Sequence, residues 1–206
     1  MTGFASHVHK IPDNLGDVEA APLFCPGVTA YRAVKEAEPL PGKRIAIFGV
    51  GGVGHMAVQF ARLSGAHVIA VSRKQVHTNL ATSVGADEVI VSSEEDPAKK
   101  MSAALADSSI VFAPSDEVIS QAIRSTKRGG VIVMGVDGNI QKYGFMRGQT
   151  IKGTVVGTRN DINEVLRIAS KGLVKVKATE YKLNRANEAL KELKGNRVEG
   201  RIVLTP

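Results

Sequence analysis

Aromatic side chains are scarce: six Phe and three Tyr in 206 residues, and none interleaves with a basic run. A nucleic-acid binder concentrates its cations in a stripe and stacks bases on aromatics. Here the basic residues are spread along the chain, with modest clusters at Arg73-Lys74, Lys99-Lys100 and 171–177. The formal net charge of +7 therefore reads as solvated faces with some attraction for phosphate ligands. Cys25 is the single cysteine, which rules out an internal disulfide framework. No apolar run approaches the ~20 residues that cross a bilayer, and the N-terminal stretch lacks the basic start and apolar core of a signal peptide. No membrane or nucleic-acid partner is expected, and a cytoplasmic location is the default. No G-x-S-x-G and no P-loop is present, so hydrolase and phosphoryl-transfer readings find no support.

What is present is a strand, a glycine turn and a helix. Ile45 to Phe48 is a short apolar run suited to a parallel strand covered on both faces. Gly49, Gly51 and Gly54 follow in G-x-G-x-x-G spacing, enclosing Gly52 and Val53. The first glycine allows a tight turn, the second a close approach of backbone to a pyrophosphate, the third close helix–strand packing. Val53, Met56, Ala57, Phe60 and Ala61 then mark one apolar helical face. The free N–H groups at that helix start favour a phosphate anion. A second strand, His67 to Val71, completes the βαβ unit that the motif requires.

The rhythm continues. Strands are expected at Arg44 to Phe48, His67 to Val71, Glu88 to Val91, Ser109 to Phe112, Val131 to Met134 and Ile151 to Val156. Helices fit at Val53 to Leu63, Gln75 to Val84, Pro97 to Leu105 and Glu117 to Thr126, with Gly65, Gly85 and Gly129-Gly130 as helix ends. The first five strands start roughly 21 to 23 residues apart. This spacing predicts an α/β fold: a doubly wound, parallel, six-stranded sheet of the Rossmann type, with a ligand at the carboxyl ends of its strands. Before it, Ser6 to Ile11 alternates like a strand. Val18 to Phe24 reads as a short helix capped by Asp17 and broken by Pro26-Gly27, and Val28 to Ala37 as a second helix. After it come a helix at Asp161 to Ser170, a strand at Thr179 to Leu183, a helix at Arg185 to Lys194 and a closing strand ending at Thr205. The sixth strand is an exposed edge, available to pair with a second copy.

In the NAD pattern an acidic residue at the end of the second strand binds the adenosine ribose. This chain has Ser72-Arg73-Lys74 there. Ser72 can hydrogen-bond a 2′-phosphate and Arg73 can pair with its charge, so NADP is expected. NAD, with the basic residue stacked on adenine, is the alternative.

The run from Gly49 through Val71 resembles the coenzyme domain of zinc-dependent, medium-chain alcohol dehydrogenases. Ala20 to Tyr31, Val84 to Ile90, Gly129 to Gly135 and Val198 to Thr205 keep the order of that family. The resemblance implies hydride transfer between an alcohol and its aldehyde or ketone. It implies three parts: 1–40, a remnant of a barrel-like catalytic domain with its connecting helices; 41–172, the NAD(P)-binding domain; 173–206, a segment returning to the catalytic domain. The rest of that catalytic domain, with its other zinc ligands and Gly-His-Glu motif, finds no match. By resemblance Cys25 is the remaining catalytic-zinc ligand, Thr29 lies near the nicotinamide and Arg201 reaches the pyrophosphate. Topology and resemblance together put Phe112, Gly135, Val136 and Thr158 along the nicotinamide half. One departure is Ser109 to Ser115, where many relatives carry Asp-x-x-Gly. A catalytic zinc takes three protein ligands and this chain offers one cysteine, so Cys25 is expected to be metal-free here. His7 and His9 could share one strand face as a metal pair, but are expected to be simply exposed. Coenzyme binding with little or no turnover follows. Two rivals are a zinc-free quinone or enoyl reductase of the same superfamily, against which Cys25 argues, and a non-catalytic nucleotide-binding module.

Overall fold

A computed structural model describes residues 4, 7–195 and 197–206. The chain enters through α1 (Asp17–Ala20), a 3-10 turn at Ala21–Leu23 and α2 (Pro26–Glu36). Gly16, not Asp17, occupies the N-cap of α1, and no side chain caps it. Pro26 does not merely end the preceding helix. It opens α2 at its first turn, where the missing N–H costs nothing. No strand forms at 7–11, and Ser6 lies outside the described residues. Alternation makes a strand only where a neighbouring edge accepts its hydrogen bonds, and none does so among the described residues.

The alternating units follow: β1 (Arg44–Phe48), α3 (Gly54–Leu63), β2 (His67–Ser72), α4 (Gln75–Ser83), β3 (Glu88–Val91), α5 (Pro97–Lys100), β4 (Ala106–Val111), α6 (Asp116–Ser125), β5 (Thr126–Met134) and β6 (Thr150–Gly153). Then come α7 (Arg159–Ser170), β7 (Ala178–Lys182), α8 (Ala186–Lys194) and β8 (Arg201–Thr205). β1 to β6 form one parallel sheet in the order β3-β2-β1-β4-β5-β6, while β7 and β8 pair separately. The order reverses between β1 and β4, the switch point where doubly wound sheets hold ligands.

Both faces of the sheet are buried, so the strands are apolar throughout rather than alternating. Ile45 and Ile47 of β1 face a core shared with α2, α3 and α7, through Val34, Phe60 and Val165 among others. Ala46 and Phe48 face the opposite core, filled by α6 through Ile119, Ala122 and Ile123. Two helix ends fall as the glycines indicate, with Gly65 after α3 and Gly85 after α4, both at positive φ. Gly129-Gly130 is different. It is no helix end but an irregularity inside β5, where the β4–β5 register shifts. A Cβ on Gly130 would lie 2.5 Å from the Asp107 carbonyl oxygen. The pair reads as a cap because its composition suits any tight backbone, and only the partner strand shows which one.

Two elements are shorter than expected. α5 is a single turn capped by Asp96. β6 stops at Gly153 because the chain turns away, with Val156 held at φ 45°. α7 starts sharply. Thr158 and Asp161 form a capping box, and the buried Asp161 carboxylate also takes Lys35 of α2 at 2.8 Å. Against the cost of burial, those hydrogen bonds hold its carboxyl down at about 2. No described helix is long and apolar enough to cross a membrane.

Candidate functional site

The carboxyl ends of β1, β2 and β4 open a crevice lined by the glycine turn, by Ser72 to Lys74 and by Phe112, with Arg201 closing one side. Each glycine has a separate geometric duty. Gly49 sits at φ +99°, which turns the chain out of β1 beneath Ala113. A Cβ on Gly54 would overlap the Gly49 carbonyl oxygen, so α3 starts in contact with the strand it left. A Cβ on Gly52 would meet Arg201 Cδ at 2.7 Å. A Cβ on Gly51 would meet nothing within 4 Å. Three glycines are thus demanded by the protein itself. The openness beside Gly51 is the place where a ligand's backbone contact fits.

Arg201, at the start of β8, crosses from the small sheet to lie over Gly52. Its Nε is buried and has no hydrogen-bond partner among the described residues. Burial pulls its guanidinium below the ordinary arginine value, and the charge that Cys25 can carry acts the other way. A half-buried cation with an unused donor, beside helix-start amides, is chemistry that an anion completes.

His55 fixes the turn from behind. It is fully buried, with Nδ1 3.0 Å from the Gly51 carbonyl oxygen. The Lys177 N–H donates to its Nε2 at 3.2 Å, which makes Nδ1 the protonated nitrogen and the ring neutral. Next to it, Gln59 donates to the Lys175 carbonyl and accepts from the Lys175 N–H, both at 2.8 Å. Together they tie the glycine turn to 175–177. Burial holds His55 below its ordinary 6.5; the Gly51 carbonyl works against that and Arg201 with it. The unfolded chain therefore binds a proton that the folded chain refuses. Stability is fully present above pH 6.5 and falls as pH drops below it, by at most about 1.4 kcal/mol per pH unit for one proton. Urea midpoints at pH 7.5 and 5.5 are expected to show this loss in the parent chain. His55→Asn starts less stable and has a shallower slope. An equally steep slope in both would reject the assignment.

The site residues expected from sequence divide into two sets. Gly49, Gly51, Gly52, Val53, Gly54, Ser72, Arg73, Lys74, Phe112 and Arg201 line one crevice. Thr29, Gly135, Val136 and Thr158 are not among its lining residues. Thr29 lies in the first turn of α2, its N–H bonded to the Cys25 carbonyl. Gly135 packs behind Phe112, whose ring lies 2.8 Å from where its Cβ would be, and Val136 joins the core on the α6 side. The Thr158 hydroxyl is used by the α7 cap. Cys25 is exposed at the N-cap of α2. His9 Nδ1 is 2.8 Å from Asn163 Oδ1, and among the described residues no three His, Cys, Asp or Glu side chains converge as a metal site. Sequence reasoning missed His77 and Gln121, which line the crevice, and His55 beneath it. His77 had one available signal: it falls one helical turn beyond the basic corner.

The strand order and the glycine turn at its switch point define a protein of the Rossmann class. Residues 52–171 match the zinc-binding dehydrogenases, and the chain belongs to that family. It is 38% identical to an alcohol dehydrogenase of Geobacillus stearothermophilus over 207 residues, covering 97% of this chain and 61% of the relative. The crystal structure of the Aeropyrum pernix alcohol dehydrogenase superposes with a TM-score of 0.88 at 32% identity, covering 96% of this chain and 61% of that one. An acetophenone reductase from Geotrichum candidum, solved in complex with NAD, superposes with a TM-score of 0.87 at 27% identity, covering 98% and 60%. The chain spans about three-fifths of the length of these relatives.

Proposed function

We propose that this chain is the coenzyme-binding portion of an NADP-preferring, zinc-type alcohol dehydrogenase. Residues 41–172 form the dinucleotide domain, 1–40 are a remnant of the catalytic domain, and 173–206 return to it. The observation that carries the reading is Arg201, whose buried and unpartnered Nε stands over a glycine turn with open space beside Gly51. A diphosphate there accepts from the amides of the turn and from Arg201, and the α3 dipole favours its charge. Ser72 and Arg73 then stand at the adenosine end. Among the described residues no carboxylate pairs with Arg73, which suits a 2′-phosphate better than a bare ribose. When bound, the coenzyme supplies the carbon that gives or takes hydride.

The zinc half of the chemistry does not fit the residues described. Cys25 is one thiol where a catalytic zinc takes three protein ligands. No metal-assisted step is assigned to this chain. In the whole enzyme, the substrate is a primary or secondary alcohol, or its aldehyde or ketone. The unpaired edge of β6 offers a route to a homodimer.

Titration of the purified chain with NADPH and NADH tests the proposal. NADPH is expected to bind about tenfold more tightly, the worth of one charge-assisted contact. Ser72→Asp is expected to invert the order by repelling the 2′-phosphate and accepting from ribose hydroxyls. Equal affinities would remove the NADP preference. Robust alcohol oxidation by the chain alone would overturn the expectation that it binds without turnover.

A further inference from the structure

His77 stands in the first turn of α4, immediately beyond the basic corner, and lines the same crevice as Ser72 and Arg73. Its Nδ1 lies 3.2 Å from the Ser72 hydroxyl oxygen. We propose that His77 is a proton-gated reader of the coenzyme's 2′-phosphate, neutral in the empty crevice and cationic in the NADP complex, so that discrimination against NAD sharpens as pH falls. This rests on the dinucleotide reading above and extends it.

The argument is one of donors. A serine hydroxyl has a single proton to give. In the empty crevice the Ser72 O–H can donate to Nδ1 of a neutral imidazole. Once a 2′-phosphate takes that proton in a hydrogen bond, Nδ1 has lost its donor. A proton taken up from solvent restores the contact, because Nδ1–H then donates to Ser72 Oγ or to the phosphate. The charges around the ring set the direction. Lys74 on its own corner repels a cation there, Arg73 and Arg201 also line the crevice, and Glu199, from the segment before β8, attracts one. From the turn after β3 only the neutral Ser92 lines the crevice beside it. Partial burial and Lys74 keep the free ring below its ordinary 6.5. A phosphate bringing about −1.5 to −2 charges reverses that balance. Ribose hydroxyls bring no charge, so NADH leaves the ring neutral.

Calorimetric titrations of the chain in buffers of different ionisation heat count the protons. Binding of NADPH at pH 7.5 is expected to take up roughly half a proton or more, and NADH none. The 2′-phosphate's own ionisation, near pH 6, cannot supply this uptake, because binding to cations makes it release protons instead. Between pH 8 and 6.5 the ratio of NADH to NADPH dissociation constants is expected to rise about tenfold. His77→Gln abolishes the uptake and flattens the ratio, and His77→Asn serves should that variant not fold. A flat ratio in the parent chain, or undiminished uptake in the variant, overturns the role of His77 and leaves NADP binding standing. Equal or tighter binding of NADH overturns the NADP preference and this role together. Binding of neither coenzyme overturns this inference and the dinucleotide reading together.

Discussion

Replacing Gly51 by valine is expected to leave the thermal midpoint within about 2 °C of the parent, yet weaken NADPH binding roughly a hundredfold. The asymmetry follows from the geometry. A Cβ at position 51 meets no described protein atom within 4 Å, and the backbone there is not in the left-handed region. Nothing in the fold resists it. The space it fills is the space through which a diphosphate must approach the amides at the start of α3. Gly54→Ala is the matched opposite. Its methyl group overlaps the Gly49 carbonyl oxygen, a backbone atom that cannot rotate aside. Forced separation of α3 from β1 is expected to cost about 3 kcal/mol, or roughly 6 to 12 °C of midpoint in a chain of this size. Thermal melts followed by coenzyme titration read both. If Gly51→Val binds NADPH like the parent, the diphosphate does not pass that residue and the site assignment fails.

Arg201→Met separates stability from binding in another way. The long side chain keeps its packing over Gly52, while the half-buried charge disappears. With its Nε unpartnered, the guanidinium is a net cost in the empty protein. The variant is therefore expected to be as stable as the parent or up to about 1 kcal/mol more so. Its affinity for NADPH is expected to fall about 10- to 100-fold, the worth of a charge-assisted hydrogen bond to phosphate. Arg201→Lys keeps the charge without the fork and should lie between. A destabilised variant with unchanged affinity would make Arg201 a plain structural cation.

Local pattern carried the central units. The β1–α3–β2 unit is legible because an apolar run, three glycines and a 3.6-residue stripe agree over one short window. The parallel, doubly wound sheet follows from the regular crossovers, while the order of its strands is read from the structure. Misreadings occur where a partner distant in sequence decides the outcome. Gly129-Gly130 has the composition of a helix end, but β4 makes it a bulge. Residues 7–11 alternate, but no edge among the described residues receives them. Thr158 reads as a strand-end residue until Asp161, three residues on, claims its hydroxyl. The site shows the same division. Glycine spacing and the Ser72-Arg73-Lys74 corner are visible in the sequence itself. Arg201 was reachable only through resemblance, since a lone cation on a strand carries no local mark. His55 was invisible for the same reason, because its role depends on Lys177.

The crossing of Arg201 onto Gly52 also bears on synthesis. The glycine turn is translated before the six-stranded sheet is complete, whereas Arg201, the cation proposed to finish the anion site, follows that whole sheet. Nascent chains therefore present half a grip. Coenzyme is therefore expected to stabilise the sheet fully only once Arg201 has followed it out of the ribosome.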